Sequence, residues 1–87
     1  MKTSSQILQT AEKLVSTDRS KTHGDKKVNH QNIASLWSAY LDYPLTAKDV
    51  AILMVLLKLA RTKAGNHNDD DYIDACGYSA IAGELNE

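Results

Sequence analysis

Eight consecutive apolar residues, Val50 to Leu57 (VAILMVLL), constrain the fold of this 87-residue chain more than any other feature. The run is far short of the roughly 20 residues that a membrane-spanning helix needs. It lies instead inside a segment with helix punctuation at both ends. Thr46, followed three residues later by Asp49, resembles a capping box, and the carboxylate also suits the positive end of the helix dipole. Gly65 is a good C′ residue, and Lys58, Arg61 and Lys63 crowd the closing turns, as the dipole prefers. This predicts a helix over 47–64 whose middle is apolar all round, the mark of an element covered on most sides. Three other helices in so short a chain cover it only partly, so a subunit interface is expected.

The remaining segments also read as helix. Ile7, Leu8, Ala11, Leu14 and Val15 form one stripe at helical period and predict a helix over 5–16, with Ser4 or Ser5 as N-cap. Ile33, Trp37, Tyr40 and Leu41 mark a second helix over 29–41, closed by Pro44, which disfavours helix at Tyr43. A fourth runs over 70–85 with Asp69 or Asp70 as N-cap. Its Ala75, Gly77, Ala80, Ala82 and Gly83 make it narrow. Gly77 costs about 1 kcal/mol relative to Ala in a helix interior, so close approach of another backbone is the expected compensation. No strand-like alternation or repeat interrupts the pattern. The expected architecture is all-α: a small four-helix bundle, one domain over 1–87, oligomeric.

Composition narrows the function classes. With one Trp, four Tyr and no Phe, the core falls to Leu, Ile, Val and Ala. Trp37 and Tyr40 are expected in that core rather than as a base-stacking platform. A net charge of −1 gives no bulk attraction for nucleic acid or a membrane surface, although Arg19, Lys21, Lys26 and Lys27 lie close together. The single Cys76 excludes an intramolecular disulfide, fits a reducing compartment, and is expected to be buried and inert. MKTSSQILQT lacks the apolar region of a signal peptide. The chain reads as cytosolic.

Two polar features carry the candidate chemistry. The connection over 17–28 is at the length where loops are uncommon in compact domains and often functional. It holds Asp18, Arg19, His23, Gly24 and Asp25, with Asn29 just beyond. Glycine allows close approach of a ligand, and the histidine can meet a phosphate oxygen, a base edge or a metal. The alternative is a plain turn. The second feature is the acidic start of the last helix. Asp71 and Asp74, three apart, share a face and can share a divalent cation, with Mg²⁺ completed by substrate phosphates. The alternative is dipole compensation by Asp70 and Asp71. Lys58 and Arg61, one turn apart, can neutralise phosphates beside that site, or simply form a solvated face. His30 and His67 are expected to be exposed and without a role. No P-loop, GxGxxG, paired cysteines or HExxH occurs, and NHNDDD lacks the glycine and terminal Glu of an EF-hand loop.

DRSKTHGDKKVN in 18–29, IASLWSAYL in 33–41, DVAILMVLLKLAR in 49–61 and DDYIDACGYSAIAGEL in 70–85 together resemble a family of small phage and prophage proteins of unassigned function. The resemblance covers most of the chain. More distantly the chain is similar to the phage nucleotide-modification-associated domains and to MazG-like all-α nucleoside triphosphate pyrophosphohydrolases, which are helical, oligomeric and Mg²⁺-dependent. The MazG-like metal site combines E-E-x-x-E with a later E-x-x-D. Only the later half has a counterpart here, Asp71-x-x-Asp74, and the first helix offers Glu12 alone.

What these resemblances imply is a phage-encoded nucleotide-binding protein acting in the host cytosol. Asp18, Asp25, Asp71 and Asp74 would hold Mg²⁺ or sugar hydroxyls, and Arg19, His23, Lys58 and Arg61 would contact phosphates. As an enzyme it would direct a metal-activated water at a phosphoanhydride. The alternative is a non-enzymatic protein that sequesters a host signalling nucleotide or inhibits a host defence protein.

Overall fold

The computed structural model describes residues 1–18 and 25–85, for Thr17 and Asp18 the backbone alone. Among them are four α-helices and no strand: α1 (Ser4–Lys13), α2 (Lys26–Leu41), α3 (Ala47–Arg61) and α4 (Asp69–Leu85). One π-helical turn, Leu14–Asp18, continues α1. The all-α bundle expected from the sequence is therefore present.

Local chemistry explains the helix ends. Thr3, not Ser4 or Ser5, caps α1, because it alone completes a reciprocal box with Gln6: the Thr3 hydroxyl accepts from the Gln6 N–H and Gln6 Oε1 accepts from the Thr3 N–H. Thr46 and Asp49 form the capping box of α3 as the spacing predicted. Asp25 caps α2, its Oδ1 accepting from the N–H groups of Lys27 at 2.8 Å and Val28 at 3.1 Å. That cap starts α2 three residues before the expected Asn29. Asn68, rather than an aspartate, opens α4, its side chain accepting from the Asp70 N–H. α2 closes on Asp42 in the left-handed conformation (φ 54°), ahead of Pro44. Gly65, at φ 78°, sits in the turn beyond α3, a conformation that costs glycine nothing.

The central element is α4, not α3. It packs along α3 and also against α1 and the π turn. Small residues make this possible: Ala75, Gly77 and Ala82 are buried, so neighbouring helices approach its axis. A Cβ placed on Gly77 would lie 3.3 Å from Val15 Cγ1, so the close approach here is a side chain of the π turn rather than another backbone. The main cluster joins Ala47 and Ala51 of α3 to Ile81, Ala82 and Leu85 of α4, with Val15 and Tyr78 against it. By contrast α3 buries Ala47, Val50 and Ala51 while Ile52, Leu53, Leu56, Leu57 and Leu59 remain exposed. The run expected to be covered on most sides is covered only where α4 and α2 pack against it. Tyr40 is 90% exposed and is not a core residue, whereas Trp37 is half-buried. Cys76 is likewise only partly buried.

Candidate functional site

α3 and α4 run antiparallel, and near the α3 C-terminus their facing sides carry opposite charges. Lys58 and Arg61 lie one turn apart on α3, Asp71 and Asp74 one turn apart on α4. Lys58 Nζ stands 3.1 Å from Asp74 Oδ2, and Arg61 Nε 3.5 Å from Asp71 Oδ1. The result is a two-rung ladder. Its inner rung is largely withdrawn from solvent, with 15% and 18% of the Lys58 and Asp74 side chains exposed. In the outer rung Asp71 is buried while the Arg61 side chain is 57% exposed. Arginine has five N–H donors in a planar fork, so Arg61 can hold Asp71 and still present donors to an anion.

Lys58 therefore does not stand on a solvated face, whereas Arg61 keeps more than half of its side chain in solvent, and Asp71 does more than offset the helix dipole. Asp74, the inner carboxylate, also borders a narrow cleft of about 10 Å³, space for one water-sized group, between α1 with its π turn and α4. Ala11, Leu14, Val15, Ile73, Gly77 and Ile81 wall it, and Asp74 and Tyr78 bring polar atoms. Two carboxylates with phosphates from a ligand meet the usual donor set of Mg²⁺. Among the described residues no group of three His, Cys, Asp or Glu gathers as a metal site. Mg²⁺ fits here only by exchange with a ladder cation and with oxygens that a ligand supplies.

Asp25 stands elsewhere. Its neighbour Lys26 pairs with Glu84 at 3.2 Å, and Asp25, Lys26, Lys27, Glu84 and Leu85 line a shallow recess at the α4 C-terminus. Along α4, Glu84 is about 15 Å from Asp74 at 1.5 Å per residue. Asn29 follows one turn into α2 and is half-buried. Arg19, His23 and Gly24, and the side chain of Asp18, lie outside the described residues.

Sequence reasoning missed His30. It is buried, not exposed; its Nδ1 is 2.7 Å from the Lys26 carbonyl oxygen and its ring meets Tyr78 edge-on at 6.1 Å. A carbonyl can only accept, so Nδ1 carries the proton. Nε2 is then buried with no hydrogen-bond partner. The signal was available: His30 precedes Ala34 by four residues and Ile33 by three, on the inward stripe of α2. His67 is exposed as expected, yet it has a partner. It bonds Asp69 at 2.6 Å and stacks on Tyr72. That bond, together with the Lys2 N–H, holds the Asp69 carboxyl below its ordinary value of 3.8.

Fold and ladder together define a small all-helical bundle with a charge-paired seam, and relatives with this sequence are phage proteins. The chain belongs to DUF6378, a family described as a domain of unknown function, which it matches over residues 6–86. It is 41% identical over 76 residues to the Gene 55 protein of Mycobacterium phage L5, covering 86% of this chain and 49% of that protein. It is 36% identical over 84 residues to the Gene 55 protein of Mycobacterium phage D29, covering 97% of this chain and 56% of that protein. The chain thus spans about half the length of these relatives. No solved structure matches it. No helix among the described residues is long and apolar enough to cross a membrane.

Proposed function

We propose that this chain is a phage-encoded nucleotide-binding protein, acting as a homo-oligomer in the host cytosol, that receives the phosphates of its ligand at the α3–α4 ladder. The observation that carries this reading is the pairing of two cations and two carboxylates in one seam, with Arg61 half in solvent. Arg61 and Lys58 contact phosphate oxygens, and Asp71 and Asp74 fix those cations in place and share any Mg²⁺ that arrives with the phosphates. Asp18, Arg19, His23 and Gly24, with Asp25 and Asn29 at the start of α2, would supply polar contacts to a part of the ligand that extends beyond the ladder. As an enzyme the protein would resemble a MazG-like pyrophosphohydrolase, and the chemistry that bound Mg²⁺ supplies is charge screening and activation of water.

The decisive experiment is mass spectrometry of small molecules released from the purified, heat-denatured protein. It is followed by titration of the recovered nucleotide with and without Mg²⁺. Near-stoichiometric recovery, with roughly ten- to a hundredfold weaker binding after Arg61→Ala, supports the proposal. Absence of any nucleotide, and of binding to any nucleoside triphosphate tested, rejects it. Release of pyrophosphate separates an enzyme from a sequestering protein.

The exposed apolar face of α3 gives weight to the second reading, a non-enzymatic phage protein that acts on a host defence protein or sequesters a host signalling nucleotide. Under that reading the ligand is recovered intact, or a host protein co-purifies, and no turnover is measured.

A further inference from the structure

The outward face of α3 is apolar along its length and charged only at its two ends. Ile52, Leu56 and Leu59 fall at i, i+4 and i+7, a single stripe opposite the buried Val50 and Ala51, with Leu53 and Ala60 beside it. No charged residue occurs between Asp49 and Lys58. The five large side chains of this face and its flank, Ile52, Leu53, Leu56, Leu57 and Leu59, are 39% to 56% exposed. A contiguous surface of this kind is the apolar centre of an interface rather than ordinary monomer surface.

The ends of the stripe identify the occupant. Asp49 stands seven residues before Leu56, and Lys63 stands seven after it. Lys63 lies in the turn just beyond α3, where its N–H bonds the Ala60 carbonyl three residues back and keeps it close to the end of the stripe. Two copies of α3 crossing antiparallel, with a two-fold axis at Leu56, place Asp49 against Lys63 of the second copy, and do so twice. The same operation sets Leu53 against Leu59, Ile52 against Ala60, and Leu56 against itself. Parallel packing would instead set Asp49 against Asp49 and Lys63 against Lys63. Antiparallel packing also opposes the helix dipoles favourably. Asp49 uses one carboxylate oxygen in its capping box and keeps the other to accept from a lysine.

We propose that a second copy of this chain docks on the outward face of α3, antiparallel and centred on Leu56, with Asp49–Lys63 pairs closing both ends. This deepens the oligomer in the reading above and is independent of the nucleotide. A two-fold axis makes the contact isologous and closed, so the expected unit is a dimer or a multiple of it.

The test is the molar mass of the purified chain by sedimentation equilibrium, with far-UV circular dichroism as the folding control. The wild type should be a dimer at micromolar concentration. Leu56→Glu, which brings two carboxylates together on the axis, should give a monomer of unchanged helicity. Lys63→Glu, outside the helix proper, should weaken association roughly tenfold at low salt and less at high salt, as expected for two exposed pairs turned repulsive. A parallel pair exchanges one repulsion for another and predicts no change. A monomeric wild type overturns the proposal together with the oligomer. An oligomer indifferent to Leu56→Glu, or to Lys63→Glu should the first variant fail to fold, keeps the oligomer and rejects this interface.

Discussion

At the scale of single residues, Val15 and Gly77 meet where the helix axis of α4 comes nearest the π turn. A Cβ at Gly77 would press on Val15 Cγ1 at 3.3 Å, a contact that a small shift of one methyl relieves. Gly77→Ala therefore sets the helix-propensity gain of about 1 kcal/mol against that shift and should change stability little. Gly77→Leu has no such escape and should destabilise by about 1–3 kcal/mol, read from urea denaturation. Asp69 gives a prediction in pH. Its carboxyl lies below 3.8 because His67 and the Lys2 N–H hydrogen-bond its charged form. A carboxyl depressed on folding contributes stability that is present above its unfolded value and lost as pH falls through the folded one. The contribution should therefore be present above about pH 4 and fade in more acidic solution. His67→Ala should raise the Asp69 midpoint in a carbon-detected NMR titration; an unmoved midpoint would show that the ring has no part in the shift.

The helices were legible in the sequence because their signals are local. Thr46 and Asp49 announced α3, and the stripe Ile7–Ala11–Leu14 announced α1. Less legible was what depends on which surfaces meet. Val50 to Leu57 reads as apolar all round, and periodicity cannot say which flank finds a partner within the chain. The main partner of α3 is a narrow helix, so Ala47, Val50 and Ala51 go inward and its leucines stay out. The ladder was half legible: both pairs of residues were visible as pairs, but not that each carboxylate would face a cation of the other helix. Asp25 was read within a ligand loop and serves as a cap, two roles that substitution can separate. Asparagine caps about as well as aspartate, so Asp25→Asn should leave stability unchanged, while Asp25→Ala should cost about 0.5–2 kcal/mol in thermal or chemical unfolding. A loss of ligand affinity in the asparagine variant then belongs to the charge alone. For the inner rung, the costs of Lys58→Ala and Asp74→Ala should sum to more than the cost of the double substitution, with a coupling on the order of 1–3 kcal/mol in a double-mutant cycle. Additive losses would mean that the rung contributes nothing as a pair.

For the whole molecule, association and ligand binding act on the same unfolding equilibrium. A dimer melts at a temperature that rises with protein concentration, and a melting temperature constant over a wide concentration range would argue for independent protomers. A nucleotide at about a hundred times its Kd should add about 2.7 kcal/mol on top; Arg61→Ala should cut that increment and, by leaving the buried Asp71 unpaired, also lower the ligand-free baseline. The π turn at Leu14–Asp18 has a consequence of another kind. Such a turn accommodates one residue more than the α-helix around it, so it records an insertion that the chain has absorbed without breaking. Deleting Ser16 would let α1 continue with ordinary geometry and leave the helix phase nearly unchanged, because the wide turn already holds the extra residue. Val15 precedes the deletion and would keep its place over Gly77. A one-residue deletion among related phage chains should therefore be tolerated within 14–18 better than elsewhere in α1, which makes these five residues a slack link in the fold.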